Sequence, residues 1–390
     1  MASLREFDER ALRELLQRTG SSGVLSVYVN ADPFDHPNNE GVAIDLSNRF
    51  RELRRTVEER DRADMRQVSD ALERLWPQVE TLAGPTEPGR GRIFFAALGD
   101  DWALRLDSQM PVASRVVLDD SPLIHPLLEL LDEGRAAGVL LVSADEARLS
   151  EWRLGELQLL SEMQDEYVEA PHERSGEIGG GPTGQFHTPM REQRQARDRQ
   201  HAQRFLDGAV EAMAELAIKR GWESILVSGG DRWTNTATSR FPGSFKQKIL
   251  QEPRVLLGLE EAALIATVTE RLHDEHRERE RALVERVREA GKTGDAALGL
   301  SEVTAALNAG RASHLIYDPD VRYTGSIGTD GTLLAAEKSG AEISEPRQES
   351  QLIERLVERA LQSGARISPV EGAAAGGLSE AAGIGALLRW

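Results

Sequence analysis

Residues 175–204 read SGEIGGGPTGQFHTPMREQRQARDRQHAQR. A glycine-rich segment runs directly into a helix whose first turns carry almost nothing apolar. Thr188 is placed to cap that helix. Pro189 suits its first position, where a missing N–H costs no hydrogen bond. Apolar residues at three- and four-residue steps begin only at Ala202 and continue through Phe205, Leu206, Ala209, Val210, Met213, Leu216 and Ala217. Between Met190 and Ala202 the one apolar residue is Ala196. That half of the helix has no face to bury, so it is expected to project into solvent, by roughly 20 Å at ~1.5 Å per residue. Its charges are Arg191, Arg194, Arg197, Arg199 and Arg204 against Glu192 and Asp198. The result is a basic prong with a glycine-rich tip.

The prong stands out because the chain as a whole is acidic. Its 390 residues carry a net charge of −18, which argues against nucleic-acid binding over the whole surface but leaves room for a local basic patch. The length suggests two or three domains, and 40% hydrophobic residues suffice for ordinary cores. With no cysteine there is no disulfide, thiolate nucleophile or cysteine metal site. The amphipathic start MASLREFDERALRELL is not a secretory signal, and no apolar run is long enough to span a membrane. The expectation is a soluble, cytoplasmic, monomeric protein without a cofactor or metal.

Outward from the prong, periodicity predicts an α/β chain. Upstream lie a helix over 4–18, a strand at VLSVYVN (24–30), helices near 42–60 and 64–83, and three strand-like runs, RIFFAAL, DWALRLD and PVASRVVL. Residues 1–121 thus form an α+β domain. A short helix over 123–134 precedes three strands, GVLLVSA, EARLSEWRL and ELQLLSEM, with a tight turn expected at Gly155–Glu156. This meander leads to the glycine-rich loop (176–188) and the prong helix (189–220). Beyond it come the strand SILVSGG, a polar segment with a helix near 245–251, and RVLLGLE returning to the sheet, which completes a mixed-sheet domain over 122–272. A charged connecting helix near 267–290 ends at a break over 291–299. It leads to a last α/β domain (273–390) of alternating helices and strands that closes with GIGALLRW.

Several motifs compete for attention. Gly291-Lys292-Thr293 looks like the end of a phosphate loop, but the glycine required five positions earlier is Arg286, so a helix C-cap is the better account. Asp145, Glu146 and Glu151, near the first strand of the middle domain, offer carboxylates for a magnesium-dependent RNA nuclease, if they converge. His172, His187 and His201 match no compact zinc spacing. The remaining candidates are Gly179, Gly180, Gly181, Gly184 and Gln185. Glycine lets backbone approach a ligand closely, and arginines behind the tip can hold phosphates.

This arrangement resembles the archaeal–eukaryotic class I release-factor superfamily, with Pelota and the Vms-type factors, and most closely its bacterial branch. GVLLVSADEARLSEWRLGELQLL resembles the opening strands of that superfamily's RNase-H-like domain. GGGPTGQ and the Arg/Gln-rich helix match its Gly-Gly-Gln loop and long helix. EVTAALNAGRASHLIYDPD, LVERALQSGARISPVEG and GIGALLRW resemble its last domain, an α/β sandwich similar to kink-turn-binding ribosomal proteins. The resemblance implies a ribosomal partner, met through 23S rRNA and peptidyl-tRNA in the A site, with delivery by a translational GTPase left open. It implies that Gln185, with Gly184 before it, helps water attack the peptidyl-tRNA ester. RNA contact would fall to Gly179, Gly180, Gly181, His187, Arg191, Arg194, Arg197 and Arg199. Thr183 departs from the glycine triplet, and the codon-reading motifs are missing from 4–121. Rescue of stalled ribosomes by peptidyl-tRNA hydrolysis is therefore the first expectation, and non-catalytic hibernation in the A site the alternative.

Overall fold

The computed structural model describes residues 2–7, 9–58, 63–165, 187–336, 347–349 and 351–390; over 187–199 it describes the backbone alone. The protein is a mixed α/β chain with several sheets. Contacts gather residues 1–135 and 273–390 into one compact unit and 136–272 into another.

The first unit opens with β1 (Ala2–Ser3), a 3-10 turn over Leu4–Glu6, and α1 (Glu9–Leu16), where one continuous helix is predicted. Next come β2 (Val24–Asn30), α2 (Asn39–Glu58), α3 (Ala63–Glu80), β3 (Gly91–Ala97), β4 (Ala103–Ser108) and β5 (Arg115–Asp119). The sheet order is β1-β4-β3-β2-β5. Alternate residues of β2, Leu25, Val27 and Val29, face Val42, Leu46 and Phe50 of α2 and Leu72 and Val79 of α3. The opposite face is also buried, which is why β2 reads as a nearly unbroken apolar run. The Pro/Gly-rich loop before β3 is pinned by one buried guanidinium. Arg92 donates to the carbonyls of Leu82, Gly84, Glu87 and Gly89. α4 (His125–Glu133) closes this part.

The second unit contains β6 (Ala137–Val142), β7 (Glu146–Arg153), β8 (Glu156–Gln164), α5 (His187–Arg220), β9 (Ile225–Gly229), α6 (Asp231–Arg240) and β10 (Ile249–Glu252). Its sheet runs β10-β9-β6-β7-β8; β9 pairs in parallel with β6 and β10, and β7 and β8 form the expected antiparallel meander. The hairpin turn sits one residue earlier than predicted: Leu154 and Gly155 both have positive φ, 52° and 80°. Leu154 tolerates this because its side chain is buried.

Two further expectations fail here. Residues 249–252 form the edge strand, not a helix, and RVLLGLE lies outside the sheet. The helix of this region is α6, over DRWTNTATSR. It buries only Thr234 and Ala237 and so carries no visible apolar stripe.

α7 (Glu261–Thr293) begins in the second unit and runs on into the first. The predicted break is shorter than read: the helix ends at Thr293, and β11 (Ala296–Leu298) follows at once. Then come α8 (Leu300–Asn308), β12 (Ala312–Tyr317), β13 (Gly325–Ile327), β14 (Leu333–Ala335), β15 (Arg347–Glu349), α9 (Leu352–Gln362), β16 (Arg366–Pro369), α10 (Gly372–Ala375) and β17 (Ile384–Leu388). The main sheet is β11-β17-β12-β16. The closing strand β17 sits inside it, antiparallel to both neighbours, and a small β14-β13-β15 sheet stands beside α8 and α9.

Within the first unit, side chains of α9 reach the amino-terminal part. Glu354 accepts the Ile124 N–H and holds His125 Nδ1, while Arg355 bonds Ser121 and Asp119.

Candidate functional site

The long helix α5 is fixed at one end. Leu206, Ala209, Val210, Met213, Ala214 and Ala217 are buried against Leu140, Val142 and Leu149 of the sheet, with Phe205 and Leu216 partly covered. The predicted apolar stripe is therefore the buried face. Ala202 is the first buried side chain described along the helix. The backbone is nevertheless helical from His187, one residue before the expected Thr188 cap, so Pro189 falls in the first turn, where it breaks no helical hydrogen bond. Roughly 20 Å of helix thus precedes the anchored part.

Three devices hold the anchored part. First, Gly138 of β6 allows close approach: a Cβ there would lie 2.5 Å from Met213 Cε and 2.6 Å from the Trp222 ring. Gly138→Ala is expected to destabilise the second unit by about 1–3 kcal/mol through overpacking, read as a lower urea midpoint with an unchanged slope. Second, Glu151 is 7% exposed, and its Oε2 accepts from Arg220 Nη1 and Trp222 Nε1, both at 2.9 Å. Third, Arg240 of α6 pairs with Asp207 and donates to the Gln203 carbonyl.

The Glu151 contact disposes of the nuclease reading of this strand. Asp145 bonds Ser143 Oγ in the turn before β7, and Glu146 pairs with Arg148. Glu151 lies about 20 Å further along at ~3.3 Å per residue, and its carboxylate is spent on α5. Among the described residues no group of three or more His, Asp or Glu is arranged to hold a metal ion. Sequence reasoning missed the anchoring role of Glu151. The available signal was an acid inside an otherwise inward-facing strand, SEWRL.

Gly291, Lys292 and Thr293 are the last three residues of α7. Lys292 pairs with Glu289, and Thr293 Oγ1 bonds the Ala290 carbonyl and Asp295. A helical backbone cannot form a phosphate loop. The glycine that ends the helix is Gly294, at φ 84°, not Gly291.

The tip residues Gly179, Gly180, Gly181, Thr183, Gly184 and Gln185, together with His172, lie outside the described residues. His187, Arg191, Arg194, Arg197 and Arg199 stand on α5, where the backbone alone is described; His201 is exposed on the same helix. The site as described is thus a helix anchored from Ala202 onward, whose start adjoins the glycine-rich segment.

The site combines an antiparallel meander with a long helix that follows a Gly-Gly-Gly-Pro-Thr-Gly-Gln segment. Residues 122–277 match the family model for Bacterial archaeo-eukaryotic release factor family 10, so this part of the chain is similar to the bacterial branch of the release-factor and Pelota superfamily. No curated protein matches in sequence.

Among solved structures, the chain is similar to an archaeal translation termination factor, aRF1 (18% identity, 100% of this chain and 98% of that one, TM-score 0.26). It is also similar to Dom34 of S. cerevisiae, a translation termination-like factor of RNA quality control (10%, 77% and 80%, TM-score 0.41). A third is archaeal Pelota in a ribosome-bound model with ABCE1 (14%, 77% and 77%, TM-score 0.41). Among the described residues no helix is long and apolar enough to cross a membrane.

Proposed function

We propose that the protein occupies the ribosomal A site in a tRNA-like pose and hydrolyses peptidyl-tRNA, which frees stalled ribosomes. The observation that carries the reading is the asymmetry of α5. The helix is locked into a sheet from Ala202 to Arg220, yet it begins at His187, directly after the glycine-rich segment. Such a helix can deliver its leading end to a narrow site without bending. The strand order β8-β7-β6-β9-β10 supports an RNase-H-like middle domain, and the family match, which begins at residue 122, supports a functional division near 121/122.

In this reading Arg191, Arg194, Arg197 and Arg199 hold rRNA or tRNA phosphates. Gly179, Gly180, Gly181 and His187 line the RNA beside them. Gln185, supported by Gly184, orients a water molecule toward the ester carbonyl. A carboxamide has no basic site for this proton, so its contribution is positioning, while backbone N–H groups of the glycine segment offset the developing oxyanion. The proton lost by the water ends on the departing 3′-oxygen of the tRNA, so that collapse of the tetrahedral intermediate breaks the ester C–O bond and yields the peptide acid and the tRNA 3′-hydroxyl.

The test is peptide release from purified ribosomes charged with peptidyl-tRNA. Wild type is expected to release peptide, and Gln185→Ala to slow release by about 100-fold or more with binding intact. Combined alanine replacement of Arg191, Arg194 and Arg197 should abolish ribosome co-sedimentation, which in the wild type should weaken with salt.

Thr183 favours a second reading, in which the protein binds idle ribosomes as a hibernation factor without chemistry. Co-sedimentation with no release, unchanged by Gln185→Ala, would select it. A wild type that neither pellets nor releases peptide overturns both.

A further inference from the structure

Residues 31–38 of the first unit, ADPFDHPN, link β2 to α2 and present Phe34 with 91% of its surface exposed, the most exposed of the large apolar side chains described. Polypeptide chains usually bury phenylalanine, because leaving it in water forgoes about 1.5–3 kcal/mol. A loop tip that exposes one by drifting would need no explanation. This loop is built to hold it still. Asn30 Oδ1 accepts the Asp32 N–H at 2.9 Å, and Asn30 Nδ2 donates to Asp35 Oδ2 at 2.8 Å. Asp32, itself 9% exposed, accepts the Phe34 N–H on Oδ1 at 2.9 Å, and its carbonyl accepts the His36 N–H at 2.8 Å. Arg90 stands 3.6 Å from the other Asp32 oxygen. The strand end is tied as well, by Ala31 N–H to the Arg90 carbonyl at 2.7 Å. A hydrogen-bonded loop under an exposed aromatic ring has already lost the backbone entropy that binding would otherwise cost, which favours one side chain dominating an interface.

The surroundings choose the partner. The basic group nearest in these contacts, Arg90, is answered by Asp32. Asp35 next to Phe34 and Glu40 in the first turn of α2 are exposed, and Ile44, 53% exposed, adds apolar surface one turn further along α2. Acids in this loop and helix start repel a phosphate backbone and favour Lys or Arg. We propose that Phe34 is the anchor of a docking surface for a basic protein, whose apolar pocket takes the ring and whose Lys and Arg residues meet Asp35 and Glu40. The proposal rests on the ribosomal reading above, in which that partner is a protein component of the ribosome.

The experiment uses full-length protein with a benzophenone-bearing phenylalanine analogue at position 34, irradiated on purified ribosomes, alongside Phe34→Ala. Because the side chain is almost wholly exposed, Phe34→Ala should keep the wild-type unfolding midpoint. A crosslink to a ribosomal protein and at least tenfold weaker co-sedimentation of Phe34→Ala are expected. A crosslink to rRNA overturns the proposal in favour of base stacking. No crosslink, with Phe34→Ala pelleting like wild type, overturns it while leaving the ribosomal reading intact. Failure of the wild type to pellet brings down that reading, and the docking surface with it.

Discussion

Glu354→Ala is expected to destabilise the first unit by about 2–6 kcal/mol, the cost of leaving two buried donors without their acceptor. Glu354 is 2% exposed on α9 and serves two donors contributed by a segment more than two hundred residues away. Its Oε2 accepts the Ile124 N–H at 3.1 Å, and its Oε1 holds His125 Nδ1. Arg115 Nη1 lies 2.6 Å from His125 Nε2. A guanidinium can only donate, so Nε2 accepts and Nδ1 carries the proton that Glu354 receives. α4 has no side-chain cap of its own: Ile124 is its N-cap residue. The carboxylate from α9 therefore supplies both the cap and the favourable charge at the helix start. Alanine would orphan the Ile124 N–H and the imidazole N–H together, each buried and each costing about 1–3 kcal/mol. Glu354→Gln retains one acceptor oxygen and should fall between wild type and alanine. Urea unfolding followed by amide exchange in α4 measures the effect. A loss under about 1 kcal/mol for the alanine variant would show that the network does not join the two parts of the unit.

That network also marks where sequence reading stops. The strands Val24–Asn30 and Ala137–Val142 and the meander were legible because each is an apolar or alternating run of strand length, bounded by turn residues. The buried face of α5 was legible because its apolar residues keep helical spacing over about four turns. The edge strand Ile249–Glu252 was not, since FKQKILQ mixes polar and apolar residues too briefly for either period to show. α6 was hidden for the opposite reason, as a helix that buries two small residues needs no stripe. At the candidate site, Gln185 and the glycine segment were chosen on composition and position in the chain. The anchors Glu151 and Gly138 act through Arg220, Trp222 and Met213, distant in sequence and brought close only by the fold. The links of Glu354 and Arg355 to Ile124, His125, Asp119 and Ser121 are of the same kind.

A pocket of about 290 Å³ in the first unit gives the second large effect, a stability profile set by opposed titrations. Glu129, Glu133, Glu280 and Glu371 line it, with His276, Arg277 and Arg281. Burial pushes Glu129 up to about 7, with partial relief from Arg115 and with Glu371 and Glu354 adding to the rise. Burial likewise pushes Glu280 up to about 7, where the Glu371 N–H relieves it and Glu371, Asp132 and Glu133 oppose its charge. Burial pushes His276 down to about 4, helped by Arg279, Arg135, His273 and Arg277, and pushes His314 of β12 down to about 4, helped by Arg366, Arg135 and Arg286.

The signs differ. A carboxylate raised in the folded state binds its proton there first, so it adds stability as pH falls from about 8 toward its unfolded value near 4.5. A histidine lowered in the folded state is protonated first when unfolded, so it removes stability as pH falls through 6.5 toward 4. Two groups of each kind nearly cancel below about pH 6. Wild type should therefore gain roughly 1 kcal/mol from pH 8 to 6 and then hold level to pH 5. Glu129→Gln with Glu280→Gln removes the favourable half alone. That variant should match or exceed wild type at pH 8 and lose roughly 4 kcal/mol by pH 5, measured by urea unfolding across the range. A variant whose profile tracks wild type would show that these carboxylates are hydrated and that the pocket sets no proton balance.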